Sequence, residues 1–144
     1  MYRSVRKDDF ADGVLTEDGE AVRGVLHGDV EPRTIVVGGK KTTRQDWRQD
    51  HDGYFKIGQG TSLWDKRGVF GYSSWHYFLL PEGAIIPASL KLVKGSWSDR
   101  YQGTHWQIEV ASGGELRADA LRGALENLAR NCVVRANELG MSLN

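Results

Sequence analysis

The last third of the chain changes its hydrophobic period. Up to residue 110, apolar residues fall in short runs broken by Gly and Asp-Gly signals. From 112 onward, Leu116, Leu121, Leu125, Leu128, Cys132, Ala136 and Leu139 recur at the spacing of one helix face. Ser112 and Glu115 stand at capping-box spacing before that run, and Gly140 stands where a helix would stop. A helix with one apolar stripe is stable only against a second apolar face, which the preceding strands must supply. The pattern therefore predicts an α+β fold, with a compact, mainly antiparallel β core and a long C-terminal amphipathic helix. At 144 residues the chain has room for one hydrophobic core, so 1–144 is read as a single domain.

Within the first part, Tyr2 to Val5 reads as a short strand with Tyr2 and Arg3 on opposite faces. Further strands are expected at Ala21 to Leu26, Thr34 to Val37, Tyr54 to Ile57, Ser74 to Leu80, Ser89 to Val93 and Trp106 to Val110. Gly38-Gly39 closes one of them, and 38–53 reads as a polar surface loop or short helix anchored by Trp47.

The charge balance by itself points to no charged class of partner, and leaves room for a local basic patch. Lys plus Arg is 19 and Asp plus Glu is 19, so no net field steers the chain toward nucleic acid or anionic lipid. No apolar run approaches a membrane span, and MYRSVRKDDF lacks a signal core. Cys132, the one cysteine, makes no internal disulfide, which suits a cytoplasmic setting. The four histidines, 27, 51, 76 and 105, include no His-x-x-x-His spacing, so no metal is expected. His76, inside an apolar run, reads as a satisfied core histidine, and Asp8-Asp9 as a solvated pair.

Two stretches carry candidate chemistry. GQGTSLWD, 58–65, lacks the Gly-Lys-Ser/Thr of a phosphate loop, and Ser62 is not in a Gly-x-Ser-x-Gly elbow. By itself it reads as a glycine turn opening a strand at Thr61 and Ser62. In GTHWQIEV, 103–110, strand alternation puts His105, Gln107 and Glu109 on one face and Trp106, Ile108 and Val110 on the other. The second face is core; the first is a solvated sheet face or the floor of a polar cleft.

MYRSV, GTSLWD, LLPEGAIIPASLKL, DRYQGTHWQI and ENLARNCVVR, in that order, resemble the type VI secretion exported effector-two toxins. These are small bacterial toxins with an ADP-ribosyltransferase-like fold. The likeness covers the first residues and then about 58 to 135; 8–53 reads as a variable insertion. The resemblance implies NAD as the molecule acted on. It implies that Arg3 holds a phosphate or ribose of NAD, which a guanidinium fork suits. It implies that Thr61 and Ser62 shape the NAD site by hydrogen bonding, with the neighbouring glycines letting the backbone approach NAD. The third site residue falls on His105, where the toxins also carry a histidine followed by an aromatic. Glu109 ranks second, because Gln107-Ile108-Glu109 matches the Gln-x-Glu signature of other ADP-ribosyltransferases. Trp64, Tyr101 or Trp106 are candidates to stack on nicotinamide or adenine, although periodicity turns Trp106 to the core.

The function so implied is an antibacterial effector enzyme, an NAD-dependent ADP-ribosyltransferase that modifies a cellular target or hydrolyses NAD. It would leave the producer through the type VI apparatus without a signal peptide and act in the recipient cytoplasm. In the producer a cognate immunity protein or antitoxin would neutralise it. Two alternatives stay open. One is a catalytically silent toxin or binding module that blocks a host protein on the same fold. The other is an NAD-dependent RNA-modifying enzyme akin to the RNA 2′-phosphotransferases, for which the zero net charge offers little support.

Overall fold

A computed structural model describes residues 1–30, 33–112 and 116–143. The described residues form seven strands and one helix: β1 (Tyr2–Arg6), β2 (Arg33–Val37), β3 (Lys40–Arg44), β4 (Thr61–Trp64), β5 (Trp75–Leu79), β6 (Leu90–Ser98), β7 (Gly103–Val110) and α1 (Ala118–Glu138). Five strands make one sheet in the order β5-β1-β4-β7-β6, with every neighbouring pair antiparallel. The expected α+β class is the observed one.

The helix is placed by its stripe. Leu121, Leu125, Leu128, Cys132 and Ala136 are buried, and the first four join Phe78, Leu63, Ile108 and Val110 of the strands in one core. Alternation supplies the strand side of that contact, because Ile108 and Val110 project to one face of β7. Gly140, in the left-handed region at φ 65°, ends the helix: Met141 N–H donates to Ala136 O and Gly140 N–H to Asn137 O. Leu139 departs from the expected stripe and is 44% exposed, because the helix terminates there. The expected capping partner Glu115 lies outside the described residues, and Arg117 occupies the N-cap without a side-chain cap bond.

Three local expectations are corrected. Ala21 to Leu26 is no strand; it bridges Leu15 only at Ala21 and then turns through Gly24 and Gly28, both at positive φ. Its Val25 and Leu26 are nonetheless core, so apolar content was mistaken for period. Tyr54 to Ile57 makes one bridge, Gln49 to Phe55, because the Asp50 carboxylate accepts from the Asp52 and Tyr54 amides and holds a turn. The stretch 38–53 is neither loop nor helix throughout: Gly38 and Gly39 make a hairpin turn, and Lys40–Arg44 returns as β3 against β2. Trp47 is the anchor expected, fully buried, with its indole N–H shared by His27 O and Thr61 Oγ1.

The feature that makes a site is a parting of the sheet. β1 pairs with β5 at five positions but with β4 only at Tyr2 opposite Trp64. Beyond that pair the two strands are joined by a side chain instead, Arg3 Nη1 donating to Ser62 O at 3.2 Å.

Candidate active site

A cleft of about 500 Å³ opens at this parting, within the size range of small-molecule sites. Its floor and one wall are strand-borne: Arg3 and Ser4 from β1, Ser62 and Trp64 from β4, His105 from β7. The facing wall comes from the turn at 24–29, from Asp46, and from the β2–β3 hairpin, which contributes Arg33, Ile35 and Arg44. Of the residues singled out in the sequence, Arg3, Ser62, Trp64 and His105 are brought together here.

Arg3 is largely buried, and burial works against its charge while Asp46 and Asp29 support it. Its Nε is shut off from solvent without a partner among the described residues, and so is the Ser4 hydroxyl. A buried polar atom left unpaired costs about 1–3 kcal/mol, and native proteins tolerate few of them. Two adjacent ones lining a cleft mark a place prepared for a hydrogen-bonding guest. The Ser62 hydroxyl likewise has no protein partner among the described residues.

His105 reaches the cleft in register with Trp64 of β4, and a bulge in β6 lies beside it. The β6–β7 register shifts between Lys94 and Trp97, and Gly95 lies against the His105 carbonyl and ring: a Cβ there would come within 2.8 Å of the carbonyl and 3.2 Å of Nδ1. Desolvation pushes the imidazole pKa down, so the neutral ring dominates at neutral pH. Trp64, its register partner, packs edge-on to it at 5.2 Å.

Trp64 belongs to an aromatic wall that sequence reasoning caught only in part. Phe70 and Trp75 also line the cleft, 4.9 Å apart, and the Arg6 guanidinium covers Trp75 at 5.4 Å. Phe70 sits on a loop pinned by Tyr77, whose hydroxyl accepts from the Phe70 amide and donates to Gly71 O. The alternation of WHYFL, with His76 and Phe78 on the face opposite Trp75 and Tyr77, was the available signal for Trp75; Phe70, on a loop, offered none.

The other candidates sit elsewhere. Thr61 is fully buried and does not line the cleft: its hydroxyl donates to Leu26 O at 2.8 Å and accepts from Trp47. It thereby ties the 24–29 turn to β4. Glu109 is buried away from the cleft, its carboxylate accepting from the Gly58 amide at 2.7 Å and from Gln107 Nε2 at 3.1 Å. The polar face of β7 is thus divided, with His105 on the cleft and Gln107 and Glu109 fastening the 58–60 turn. Tyr101 stands behind the wall, 5.4 Å from Trp64 and 5.1 Å from Phe70, and is not on the cleft surface. Trp106 packs partly against the core, as its period requires. His76 is half-buried with Nε2 unpaired, so it is not the satisfied histidine expected. Asp9 is not merely solvated; it receives both Nη groups of Arg33, at 3.0 and 2.8 Å, and holds the hairpin over the cleft.

The glycines of GQGTSLWD act differently from expectation. A Cβ on Gly60 would lie 1.7 Å from Ile108 O, so this glycine allows β4 to close on β7 rather than on a guest. Gly58 is a turn residue at φ 87° with open space around it.

The comparisons with known proteins agree with this architecture. The family model for the Tse2 ADP-ribosyltransferase toxin matches residues 2–136, a span that runs through 8–53 rather than around it. Toxin Tse2 of Pseudomonas aeruginosa strain PAO1 is 34% identical over 84 residues, which is 58% of this chain. The match spans about half of that relative's length, 51%. With a family match over nearly its whole length, the chain belongs to the Tse2 ADP-ribosyltransferase toxin family.

Proposed function

We propose that the cleft binds NAD and that the chain transfers the ADP-ribose portion to a cellular target, or to water, inside a recipient bacterium. The observation that carries this reading is the pair of unpartnered buried polar atoms, Arg3 Nε and Ser4 Oγ, at the parting of β1 and β4. The residues present fit the molecule. A guanidinium with a free donor suits a diphosphate oxygen, the Ser62 hydroxyl suits a ribose hydroxyl, and the Trp64–Phe70–Trp75 wall suits a flat ring.

Breaking the bond from ribose to nicotinamide builds positive charge on the ribose, so the site's task is to fix the molecule, exclude water and offer electron density. Arg3 holds the phosphate end. Ser62 orients the ribose, and neutral His105 accepts a hydrogen bond from it rather than adding a second positive charge. The aromatic wall keeps water from the reacting carbon. One domain, 1–144, carries all of this. Delivery is by the type VI apparatus, and a cognate immunity protein that covers the cleft mouth protects the producer.

Purified protein incubated with adenine-labelled NAD and bacterial extract tests the reading. Label is expected in a macromolecular fraction or in free ADP-ribose, and expression in a bacterial cytoplasm is expected to arrest growth. Growth arrest with NAD left intact would support instead a silent toxin that blocks its target by binding. Label entering RNA alone would point to the RNA-modifying alternative.

A further inference from the structure

The catalytic carboxylate that the Gln-x-Glu signature promised is not at Glu109, whose two oxygens are occupied by the Gly58 amide and Gln107. The cleft contains another. Asp29 lies on the facing wall with Arg3, Ser62 and His105 lining the same space. Its backbone is clamped on both sides: its N–H donates to Asp46 Oδ2 at 2.6 Å, and its carbonyl accepts from the Asp46 and Trp47 amides at 2.9 and 3.2 Å. Gly28 makes the clamp possible. It sits at φ 61°, and a Cβ there would stand 2.9 Å from Asp46 Oδ2 and 3.0 Å from Thr61 Oγ1.

The Asp29 carboxylate itself is only loosely engaged. Among the described residues its one neighbour within ion-pair range is Arg33 Nη1, at a loose 3.9 Å, and that guanidinium already holds Asp9 by both arms. No hydrogen bond to either oxygen exists among the described residues. The side chain is 22% exposed, enough to be reached from the cleft and too little to be fully hydrated. A rigid backbone presenting an unsatisfied carboxylate is the arrangement a general base or charge stabiliser needs. An ordinary solvated aspartate requires none of this clamping. The groups facing it from neighbouring elements are Asp46, Arg33, Arg3 and Arg44; desolvation and Asp46 push its pKa up against the three arginines.

We infer that Asp29 is a catalytic residue of this cleft, stabilising the positive charge on the ribose and taking the proton of the attacking acceptor. This rests on the NAD reading above. The bond broken joins ribose C1′ to the nicotinamide nitrogen, and its electron pair leaves with nicotinamide. The bond formed joins C1′ to an oxygen or nitrogen of the acceptor, whose proton passes to the Asp29 carboxylate and then to solvent. Asp46, whose Oδ2 is spent on the Asp29 amide, is a positioning residue.

The test is steady-state NAD consumption by the full chain, with NAD binding followed separately by calorimetric titration. Asp29→Asn is expected to lower kcat about a hundredfold or more while changing the NAD dissociation constant less than about threefold. It is also expected to flatten the acid limb of the kcat–pH profile. A kcat within about threefold of wild type, or a loss confined to binding, overturns the assignment. Should the Asn chain fail to fold, Asp29→Glu keeps the charge and the backbone clamp. It is expected to retain partial turnover with a shifted acid limb, and an unshifted limb overturns the proposal. A wild type that leaves NAD intact removes the NAD reading and this inference together; a wild type that turns over NAD with Asp29→Asn unimpaired removes this inference alone.

Discussion

The two walls of the cleft are built on opposite principles. The sheet wall carries Arg3, Ser62, Trp64 and His105 on strands whose register fixes each side chain relative to the next. The facing wall carries Asp29, Asp46, Arg33 and Arg44 on turns and on a hairpin outside the main sheet, tied down by side-chain bonds such as Thr61 to Leu26 O and the Arg33 fork on Asp9. The first wall derives its precision from backbone pairing with its neighbours in the main sheet, the second from a few side-chain contacts, one buried at Thr61 and one exposed at Arg33. Damage to the first should therefore appear as lost stability or lost chemistry at one residue, and damage to the second as a wall that shifts as a unit.

The largest effect expected is on the sheet wall. Gly60→Ala puts a methyl group into the Ile108 carbonyl and must part β4 from β7, so a loss of about 3 kcal/mol or more in urea unfolding is expected. Gly58→Ala, with space around it and only a positive φ to violate, should lose about 1 kcal/mol. If the two losses are equal, close approach is not what Gly60 provides.

Thr61 and Ser62, adjacent in β4, separate the walls most sharply. Thr61→Val strips a buried hydroxyl from Leu26 O and Trp47, at a cost of about 1–3 kcal/mol, and loosens the facing wall. Ser62→Ala removes a hydroxyl with no protein partner, so stability should stay within about 0.5 kcal/mol. Its NAD turnover should fall about tenfold, the value of one hydrogen bond to substrate of roughly 1.4 kcal/mol. Thermal unfolding and NAD consumption on both variants check the division.

A smaller effect is expected from pH. Burial pushes the pKa of His27, in the 24–29 turn, and of His105, on the sheet wall, below the ordinary value of 6.5. Below that value the unfolded chain takes up protons that the folded chain refuses, so stability is lost as pH falls until the folded values are reached. Asp29, raised instead, keeps its proton longer in the folded chain and blunts the loss. Melting curves between pH 7.5 and about 5.5 should show a modest downward drift in Tm, reduced in His27→Gln and in His105→Gln. An upward drift contradicts these assignments. Smallest of all is Tyr101→Phe, which keeps the ring contacts with Trp64 and Phe70 and should change stability by less than about 0.5 kcal/mol.

The same contrast explains what was legible in the sequence. Period two placed His105 opposite Trp106 in β7, because alternation is a property of the strand itself, whereas Ser62 and Trp64 were marked only by the family resemblance. Period 3.6 placed the helix. The helix stripe and the strand runs together implied the α+β class without any knowledge of pairing order. Asp29 and Asp46 carry no such mark, since their meeting depends on the 24–29 turn folding back on a segment seventeen positions later. Glu109 shows the converse error. Period correctly put it on the polar face of β7, but whether that face meets a cleft or a covering turn depends on where Gly58 goes, which lies outside any local pattern. The β3 strand was missed because KKTTR has no apolar alternation; its pairing follows from the Gly38-Gly39 turn and not from its own side chains.

The central claim is that the parting of β1 and β4 is an NAD site anchored by Arg3. Calorimetric titration of NAD into the wild-type chain and into Arg3→Met tests it most directly, since Met keeps much of the side-chain volume and removes an incompletely paired buried charge. The account predicts saturable one-to-one binding to wild type, weakened about tenfold or more in Arg3→Met, whose thermal stability is equal or higher. No binding by wild type, or equal affinity in the two proteins, would contradict it.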